Sequence, residues 1–193
     1  MKLKKYSKKI ILIANNELFF KSFLLDIIKN LNKSYNVNLI CNHDNNFLKN
    51  WCYLNKINLH FLPFSRKPNF LLDLKCFLNL IYFLSRNSFD LYMSFTPKAG
   101  FISSLALFLL QKKNTIHYFT GQVWSTMSGY RFFFYKFLDR LIIFFSNNIL
   151  VDSLGQKIFL DRSFSLNNRK IKLIANGSIC GVDIKLFKAN KIK

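Results

Sequence analysis

Short, wholly apolar segments alternate with longer segments of helical periodicity along most of this chain. The first apolar segment, residues 10–14, reads I-I-L-I-A, which is typical of a strand buried on both faces of a parallel sheet. In residues 18–31, apolar residues recur at the three- and four-residue spacing of a helix. Strands separated by such helices indicate βαβ units. We therefore predict an α/β fold with a single Rossmann-like, doubly wound parallel sheet of about seven strands.

The same two patterns give the predicted elements. The strands are predicted at residues 10–14, 36–41, 58–63, 91–95, 115–120, 148–152 and 171–175. The helices are predicted at residues 18–31, 47–55, 70–86, 101–110 and 130–145, with a last helix after Ser153. Asn69 is predicted to cap the third helix. Residues 96–100 are predicted to form a turn and residues 121–129 a loop, the longest stretch without periodicity.

The charge balance points to an anionic partner. The 193 residues contain 29 Lys and Arg against 9 Asp and Glu, a formal net charge of +20. Such a surface attracts nucleic acid, anionic lipid or phosphorylated substrates. The predicted helix 130–145 mixes basic and aromatic residues, which is typical of a helix at a membrane interface and also of a half-buried helix. No nucleic-acid-binding module is visible, so we expect contact with the inner-leaflet membrane surface. A basic surface that is merely solvated is the next alternative, and nucleic acid is the weakest.

Several classes of protein are excluded by missing motifs. No G-x-G-x-x-G follows the first strand and no P-loop is present, which argues against dinucleotide-dependent and P-loop enzymes. Glu17 is the only glutamate, which excludes a paired-glutamate glycosidase. The four cysteines form no C-x-x-C pair, and no D-x-D occurs. We therefore expect no metal and no resident cofactor.

No segment resembles a signal peptide or reaches the roughly 20 apolar residues of a spanning helix. The expected location is cytoplasmic and peripheral to the membrane.

The carboxyl ends of parallel strands are where ligands bind in such sheets. This rule directs attention to Asn15 and Asn16, to the turn at 96–100, to residues 120–129, and to the segments after Val151 and Ala175. Each place also has a structural interpretation: a strand-to-helix turn, a connecting loop, a helix start and an ordinary turn. His117 is more simply a hydrogen-bonded core or surface histidine than a ligand-binding one.

Three blocks of sequence resemble a known family. They are F-T-P-K-A-G at residues 95–100; F-T-G-Q-V-W at 119–124 with Gly129 and L-D-R-L at 138–141; and V-D-S at 151–153 with Gln156, followed by I-A-N-G-S-I-C-G-V-D at 174–183 and Phe187. In this order they resemble the N-terminal half of glycosyltransferase family 4, in the branch that builds capsule, O-antigen and exopolysaccharide chains. The resemblance spans residues 9–187.

The resemblance implies the GT-B architecture, in which two Rossmann-like domains face each other across a cleft. Residues 1–187 would form the acceptor-side domain and 188–193 a truncated tail, with the C-terminal donor domain absent. The implied parent function is retaining transfer of a sugar from a nucleotide donor to a lipid-linked saccharide acceptor in surface polysaccharide synthesis. The implied partners are that acceptor, the membrane surface and a separate donor domain. Alone, the chain would be inactive; the alternative is a non-catalytic basic binding module.

The predicted site residues follow from two arguments together: ligands bind at the carboxyl ends of parallel strands, and the three blocks resemble this family. The substrate-binding candidates are Asn15, Asn16, Lys98, Thr120, Gly121, Gln122, Trp124, Asp152 and Ser153; the hinge candidates are Asn176, Gly177 and Gly181. Lys98 and the helix beginning beside it are expected to face an acceptor phosphate. The sequence departs from the family after its first strand, where a glycine-rich turn is usual, and at Thr120, where a histidine is usual, and we do not transfer that histidine's role to His117. We also expect Val123, Trp124 and Phe187 to be exposed.

Overall fold

The computed structural model describes residues 8–42, 46–65, 69–165 and 170–181. Seven parallel strands form one sheet in the order β3-β2-β1-β4-β5-β6-β7. The strands are β1 (Lys9–Ile13), β2 (Asn36–Cys41), β3 (Asn58–Phe61), β4 (Leu91–Phe95), β5 (Thr115–Phe119), β6 (Asn148–Val151) and β7 (Ile171–Leu173). This confirms the predicted α/β fold with a seven-stranded, doubly wound sheet.

Helices connect successive strands. They are α1 (Glu17–Phe19), which continues through a π-helical turn (Phe20–Leu24) into α2 (Leu25–Leu31), then α3 (Asn46–Asn55), α4 (Phe70–Arg86), α5 (Pro97–Leu109), α6 (Gly129–Phe145) and α7 (Leu154–Phe164). A 3₁₀ turn (Val123–Thr126) lies between β5 and α6. No helix in the described ranges has the length and apolar character needed to cross a bilayer.

The apolar core lies on both faces of the sheet. On one face, Phe20, Ile28 and Leu48 from α1–α3 pack with strand residues that include Leu12 and Leu39. On the other face, buried residues of α4 and α5 pack against β1, and those of α6 and α7 pack against β5 and β6. Burial on both faces explains why the central strands contain consecutive apolar residues.

Two predicted helix starts are confirmed and one predicted turn is wrong. The Asn69 side chain accepts a hydrogen bond from the Leu72 N–H at 3.0 Å, and the Ser153 Oγ accepts one from the Gln156 N–H at 3.1 Å. Residues 97–100, predicted as a turn, are already the first turn of α5. Pro97 favours this start because its fixed φ suits the first helical position, where no donor is needed. The change of direction falls on Thr96 alone, at φ 62°.

Candidate functional site

The predicted site residues gather at the carboxyl edge of the sheet. They follow the ends of β1, β4, β5 and β6, which are consecutive neighbours in the strand order. All of the predicted substrate-binding residues except Asn16 line one of two adjacent cavities. One, the polar cavity, lies beyond β5 and β6, and the other, the apolar groove, lies among α4, α5 and α6.

The polar cavity has a volume of about 450 Å³. Five of the predicted residues line it together with four that were not predicted. The lining residues are Thr120, Gly121, Gln122, Ser125, Asp152, Ser153, Gly155, Gln156 and Phe159. Side chains with hydroxyl, amide and carboxylate groups therefore line this space together with one aromatic ring, although carbon atoms make up most of its exposed wall.

A chain of hydrogen bonds ties the two sides of the polar cavity together. The Asp152 N–H donates to the Gln156 Oε1 at 2.7 Å, and the Gln156 Nε2 donates to the Gln122 Oε1 at 3.3 Å. The Asp152 Oδ1 and the Gln122 Nε2 are buried and have no hydrogen-bond partner within the described residues. Since buried polar atoms are normally paired, one acceptor and one donor at this cavity remain for a ligand or for water.

Asp152 also affects a buried tyrosine beneath the cavity. Burial raises the pKa of Tyr118, and the hydrogen bond to Asp152 and the charge of that carboxylate raise it further. Tyr118 therefore stays a neutral phenol. The carboxylate is thus held between the core and the cavity.

The segment after β7, which holds the predicted hinge residues, contacts the backbone of Asp152 through Gly177 and Ser178. The Ser178 N–H donates to the Asp152 carbonyl at 2.7 Å. Gly177 has φ +90°, and a Cβ there would lie 2.1 Å from that carbonyl oxygen, so the close approach requires glycine. Asn176 and Gly181 are exposed. Their role as a hinge stays a prediction, and Phe187 lies outside the described residues.

The apolar groove has a volume of about 590 Å³. Apolar side chains of three helices form most of it, with polar groups from the sheet edge. The lining residues are Asn15, Phe70, Asp73, Leu74, Phe77, Pro97, Lys98, Phe101, Ile102, Leu105, Val123, Trp124, Phe134, Tyr135, Leu138 and Asp139. Asn15, Lys98 and Trp124 are therefore separated from the residues of the polar cavity.

Lys98 is engaged by an acidic partner in the groove. Its Nζ donates to the Asp73 Oδ1 at 2.9 Å and to the Ser65 Oγ at 2.7 Å. The pair ties the first turn of α5 to the first turn of α4. Sequence reasoning missed Asp73 because α4 and α5 are separate in the chain, and the predicted binding of a phosphate by Lys98 stays a prediction.

Trp124 is buried, so its predicted exposure is wrong. Its side chain is 2% exposed, whereas Val123 is 44% exposed, as predicted. The indole stacks on Phe159 with 5.0 Å between ring centroids, and its Nε1 donates to the Asp139 Oδ2 at 2.7 Å. Burial raises the pKa of Asp139 to about 7, partly opposed by this hydrogen bond. Asp139 belongs to a block that carried the family resemblance, which was the available signal.

The two asparagines after β1 have different surroundings. The Asn16 Oδ1 accepts a hydrogen bond from the Phe19 N–H at 2.9 Å and so caps α1. The Asn16 Nδ2 donates to the Asn15 Oδ1 at 2.8 Å. Asn15 lines the apolar groove, whereas Asn16 has a local structural role; their predicted substrate binding stays a prediction.

His117 is a core residue, as predicted. It is 1% exposed and its Nδ1 lies 2.9 Å from the Ser94 Oγ on the neighbouring strand. Burial lowers the pKa of His117 to about 3, so the imidazole is neutral. It packs directly against Gly100 in α5 and does not line either cavity.

Known proteins resemble the chain in sequence and in fold. No protein-family model matches it. It is 27% identical over 134 residues to the capsular polysaccharide biosynthesis glycosyltransferase CapM of Staphylococcus aureus, a match covering 69% of this chain and 35% of CapM. This supports the resemblance to glycosyltransferases, while the assignment to family 4 stays a prediction.

Two solved structures share the fold. A UDP-GlcNAc 2-epimerase from Neisseria meningitidis bound to UDP-GlcNAc has a TM-score of 0.64 at 19% identity, covering 87% of this chain and 46% of that one. Anabaena Alr3699/HepE in complex with UDP and glucose has a TM-score of 0.63 at 17% identity, covering 95% and 47%. The chain thus spans less than half the length of each of these three proteins, and it shares a Rossmann-like fold with the two solved structures.

Proposed function

We propose that this chain is the acceptor-side half of a glycosyltransferase of surface polysaccharide synthesis. The sequence similarity to CapM carries the proposal, because that protein's name states a glycosyltransferase of capsular polysaccharide biosynthesis. The polar cavity at the carboxyl edge of the sheet gives the proposal a physical location.

The chemistry of the polar cavity suits a saccharide. Sugar hydroxyls both donate and accept hydrogen bonds, and the cavity offers groups of both kinds. The free Asp152 Oδ1 is an acceptor and the free Gln122 Nε2 is a donor. In our proposal these two groups orient the acceptor sugar, with the Thr120 and Ser125 hydroxyls beside them.

The remainder of the reaction requires a second domain in this proposal. A nucleotide-sugar donor would be held across the cleft, where its leaving diphosphate needs electrostatic stabilisation. We propose that transfer retains the anomeric configuration and that the acceptor is linked to a lipid, as the family resemblance implies. The cavity residues then contribute by positioning the attacking hydroxyl.

Saccharide binding and turnover test the proposal. Saccharides released from the producing strain's capsule or O-antigen should bind the chain, measured by ligand-observed NMR. Asp152→Asn should weaken binding about tenfold, since the amide oxygen can still accept a hydrogen bond but no longer carries the charge that strengthens it. Asp26→Asn, an exposed carboxylate on α2, is the matched control and should not change it. An equal loss of affinity in both variants would contradict the placement of the saccharide in the polar cavity.

A turnover assay distinguishes one half of a glycosyltransferase from a protein with another function. We expect no sugar transfer by the 193-residue chain alone and transfer when a donor domain is co-expressed. Transfer by the chain alone, or conversion of UDP-GlcNAc without an acceptor, would contradict the proposal. Binding to DNA tighter than binding to any saccharide would favour the alternative of a basic binding module.

A further inference from the structure

The charge inside the polar cavity is opposite in sign to the charge of the whole chain. The 193 residues carry a formal net charge of +20, with 29 Lys and Arg. Among the described residues, however, none of the nine that line the polar cavity is Lys, Arg or His. Asp152 is the only ionisable residue of these nine. A ligand in this cavity therefore meets one negative charge on the cavity wall and no positive charge there.

We propose that the polar cavity binds saccharides without an acidic group and rejects uronic acids, with Asp152 as the residue that determines this specificity. The inference rests on the proposed function, because it names the class of saccharide that the same cavity takes. A neutral sugar and its uronic acid differ only in whether the exocyclic carbon is a hydroxymethyl or a carboxylate group. The proposal therefore predicts different affinities for two ligands of nearly the same shape.

The carboxylate of Asp152 is placed to contact a ligand. Its Oδ1 is buried and has no hydrogen-bond partner within the described part of the chain. A sugar hydroxyl can donate a hydrogen bond to this oxygen, and the bond is strengthened because the acceptor is charged. A ligand carboxylate has no proton to donate at neutral pH, so it would leave this oxygen unpaired and would add repulsion between like charges.

Asp152 also supplies the negative charge that the start of α7 favours. It lies one residue before Ser153, which caps this 11-residue helix. The N-terminus of a helix attracts an anion, because its first N–H groups carry partial positive charge. The chain's own carboxylate already complements that charge. The start of α7 therefore does not offset the rejection of an acidic ligand.

Two lysines near the cavity do not neutralise Asp152. Lys98 lines the neighbouring apolar groove, where its Nζ donates to the two Asp73 carboxylate oxygens at 2.9 and 3.0 Å. Lys157 of α7 does not line the polar cavity. Tyr118, which hydrogen-bonds the Asp152 carboxylate, is a neutral phenol, because burial raises its pKa. The charge of Asp152 therefore dominates the electrostatics of the cavity wall.

The rest of the wall suits the uncharged parts of a sugar. Carbon atoms form most of the exposed wall, and Phe159 is 38% exposed although its ring stacks on Trp124. The ring C–H groups of a pyranose can pack on this surface, whereas a carboxylate would lose water there without gaining a partner. The buried Gln122 Nε2 can donate to a hydroxyl oxygen without supplying a charge. These groups recognise a neutral saccharide.

Paired sugars test the specificity. Methyl glycosides of glucose, galactose and mannose are compared with those of the corresponding uronic acids by ligand-observed NMR on the 193-residue chain. We expect at least one neutral glycoside to bind, and its uronic acid to bind at least about tenfold more weakly, because like charges roughly 5 Å apart repel in a partly exposed site. The proposal is overturned if no neutral glycoside binds, or if a uronic acid binds as tightly as its neutral partner.

Asp152→Asn tests whether this carboxylate sets the preference. The variant keeps an acceptor and removes the charge, so the two affinities of a sugar pair should come within about threefold of each other. Asp26→Asn, an exposed position on α2, should leave their ratio unchanged. The ratio is the readout because a merely structural effect would weaken both sugars equally. An unchanged ratio in Asp152→Asn would overturn the proposal.

A pair of added charges provides a second test. Thr120 and Thr126 are both exposed, but only Thr120 lines the polar cavity. Thr120→Lys should shift the affinity ratio toward the uronic acid by about tenfold, because it adds a cation at the cavity. Thr126→Lys changes the net charge equally and should leave the ratio unchanged. Equal shifts in the two variants would assign the preference to the overall charge of the chain and overturn the proposal.

The outcomes distinguish this inference from the proposed function. If saccharides from the capsule or O-antigen bind through Asp152 while uronic acids bind as tightly as neutral sugars, the inference fails and the proposed function stands. If no saccharide binds the chain, both fail.

Discussion

The Trp124 indole donates a hydrogen bond from its Nε1 to the Asp139 Oδ2 at 2.7 Å, and its ring stacks on Phe159 of α7. The hydrogen bond joins the segment 120–126 to α6, and the stack joins this segment to α7, whose Phe159 lines the polar cavity. Because the indole is 2% exposed, these contacts fix the segment from within the core. The two cavities therefore have a rigid common wall.

The pKa of Asp139 predicts a pH-dependent stability. That pKa is about 7 in the folded chain, whereas an unfolded aspartate titrates near about 4. The folded state therefore keeps a proton that the unfolded state releases, and the free energy of unfolding falls as the pH rises from about 4 to about 7. Asp139→Asn keeps an acceptor for Trp124. In this variant the fall in the free energy of unfolding over the same pH range should be smaller, by at most about 4 kcal/mol.

Comparing the stability of the unmodified chain with that of Asp139→Asn separates the effect of Asp139 from the effects of other titrating groups. His117 acts in the opposite sense, because its lowered pKa makes stability fall as the pH drops below its ordinary value of about 6.5. Urea unfolding of both proteins at pH 5 and pH 8 is the measurement. The variant should gain stability relative to the chain at pH 8; a difference that does not change with pH would contradict the assignment.

Gly100 should tolerate no larger residue. A Cβ at this position would lie 2.3 Å from the His117 Cε1, and that ring is held in the core by Ser94. Gly100→Ala should lower the free energy of unfolding by about 1–3 kcal/mol through overpacking. Gly155→Ala in α7 is the control, since its nearest neighbour would be 3.9 Å away, and it should raise stability by about 0.5–1 kcal/mol. Equal effects of the two substitutions on urea unfolding would be inconsistent with this packing.

Cys180 should be the reactive thiol. Of the four cysteines, Cys41, Cys52 and Cys76 are buried and Cys180 is exposed. Burial also raises the pKa of the Cys52 and Cys76 thiols to about 12, so they remain protonated. One equivalent of thiol should react rapidly with a disulfide reagent in the native chain and four in urea. In Cys180→Ser the rapid phase should vanish; its persistence would place the exposed thiol elsewhere.

Anionic vesicles should bind the chain in a salt-dependent way. The net charge of +20 supplies the attraction, and exposed aromatic residues of α6 such as Phe133 and Phe137 supply apolar contact. Raising the salt from 0.1 M to 1 M shortens the Debye length from about 10 Å to about 3 Å and should release the chain in a sedimentation assay. Binding to neutral vesicles as strong as to anionic ones would contradict this expectation.

The sequence was sufficient for the elements because their signals are local. The end of α4 at Arg86 and its cap at Asn69 depend on neighbouring residues, and both were predicted. The start of α5 was misplaced because the residues around Pro97 suit either a turn or a first helical turn. Only packing against the sheet decides between them.

The sequence predicted where the candidate site lies, but it did not predict which residues contact each other there. The rule for parallel sheets placed Thr120 and Asp152 at one edge, and the structure brings both to the polar cavity. The burial of Trp124 depends on Asp139, 15 residues away, and the engagement of Lys98 depends on Asp73, 25 residues away. Such pairs form because the fold brings separate segments together, and the sequence around either residue does not show which segments will meet.

The two edge strands of the sheet are short: β3 has four residues and β7 has three. A short edge offers few unpaired backbone groups to another chain, so addition of strands from neighbouring molecules is disfavoured. Many exposed apolar side chains lie instead on helices, among them Tyr53 of α3, Phe70 of α4 and Tyr130 of α6, which are 84%, 80% and 77% exposed. Crowded molecules should therefore associate through native helical surfaces, forming assemblies that dissolve again on dilution rather than amyloid-like fibres.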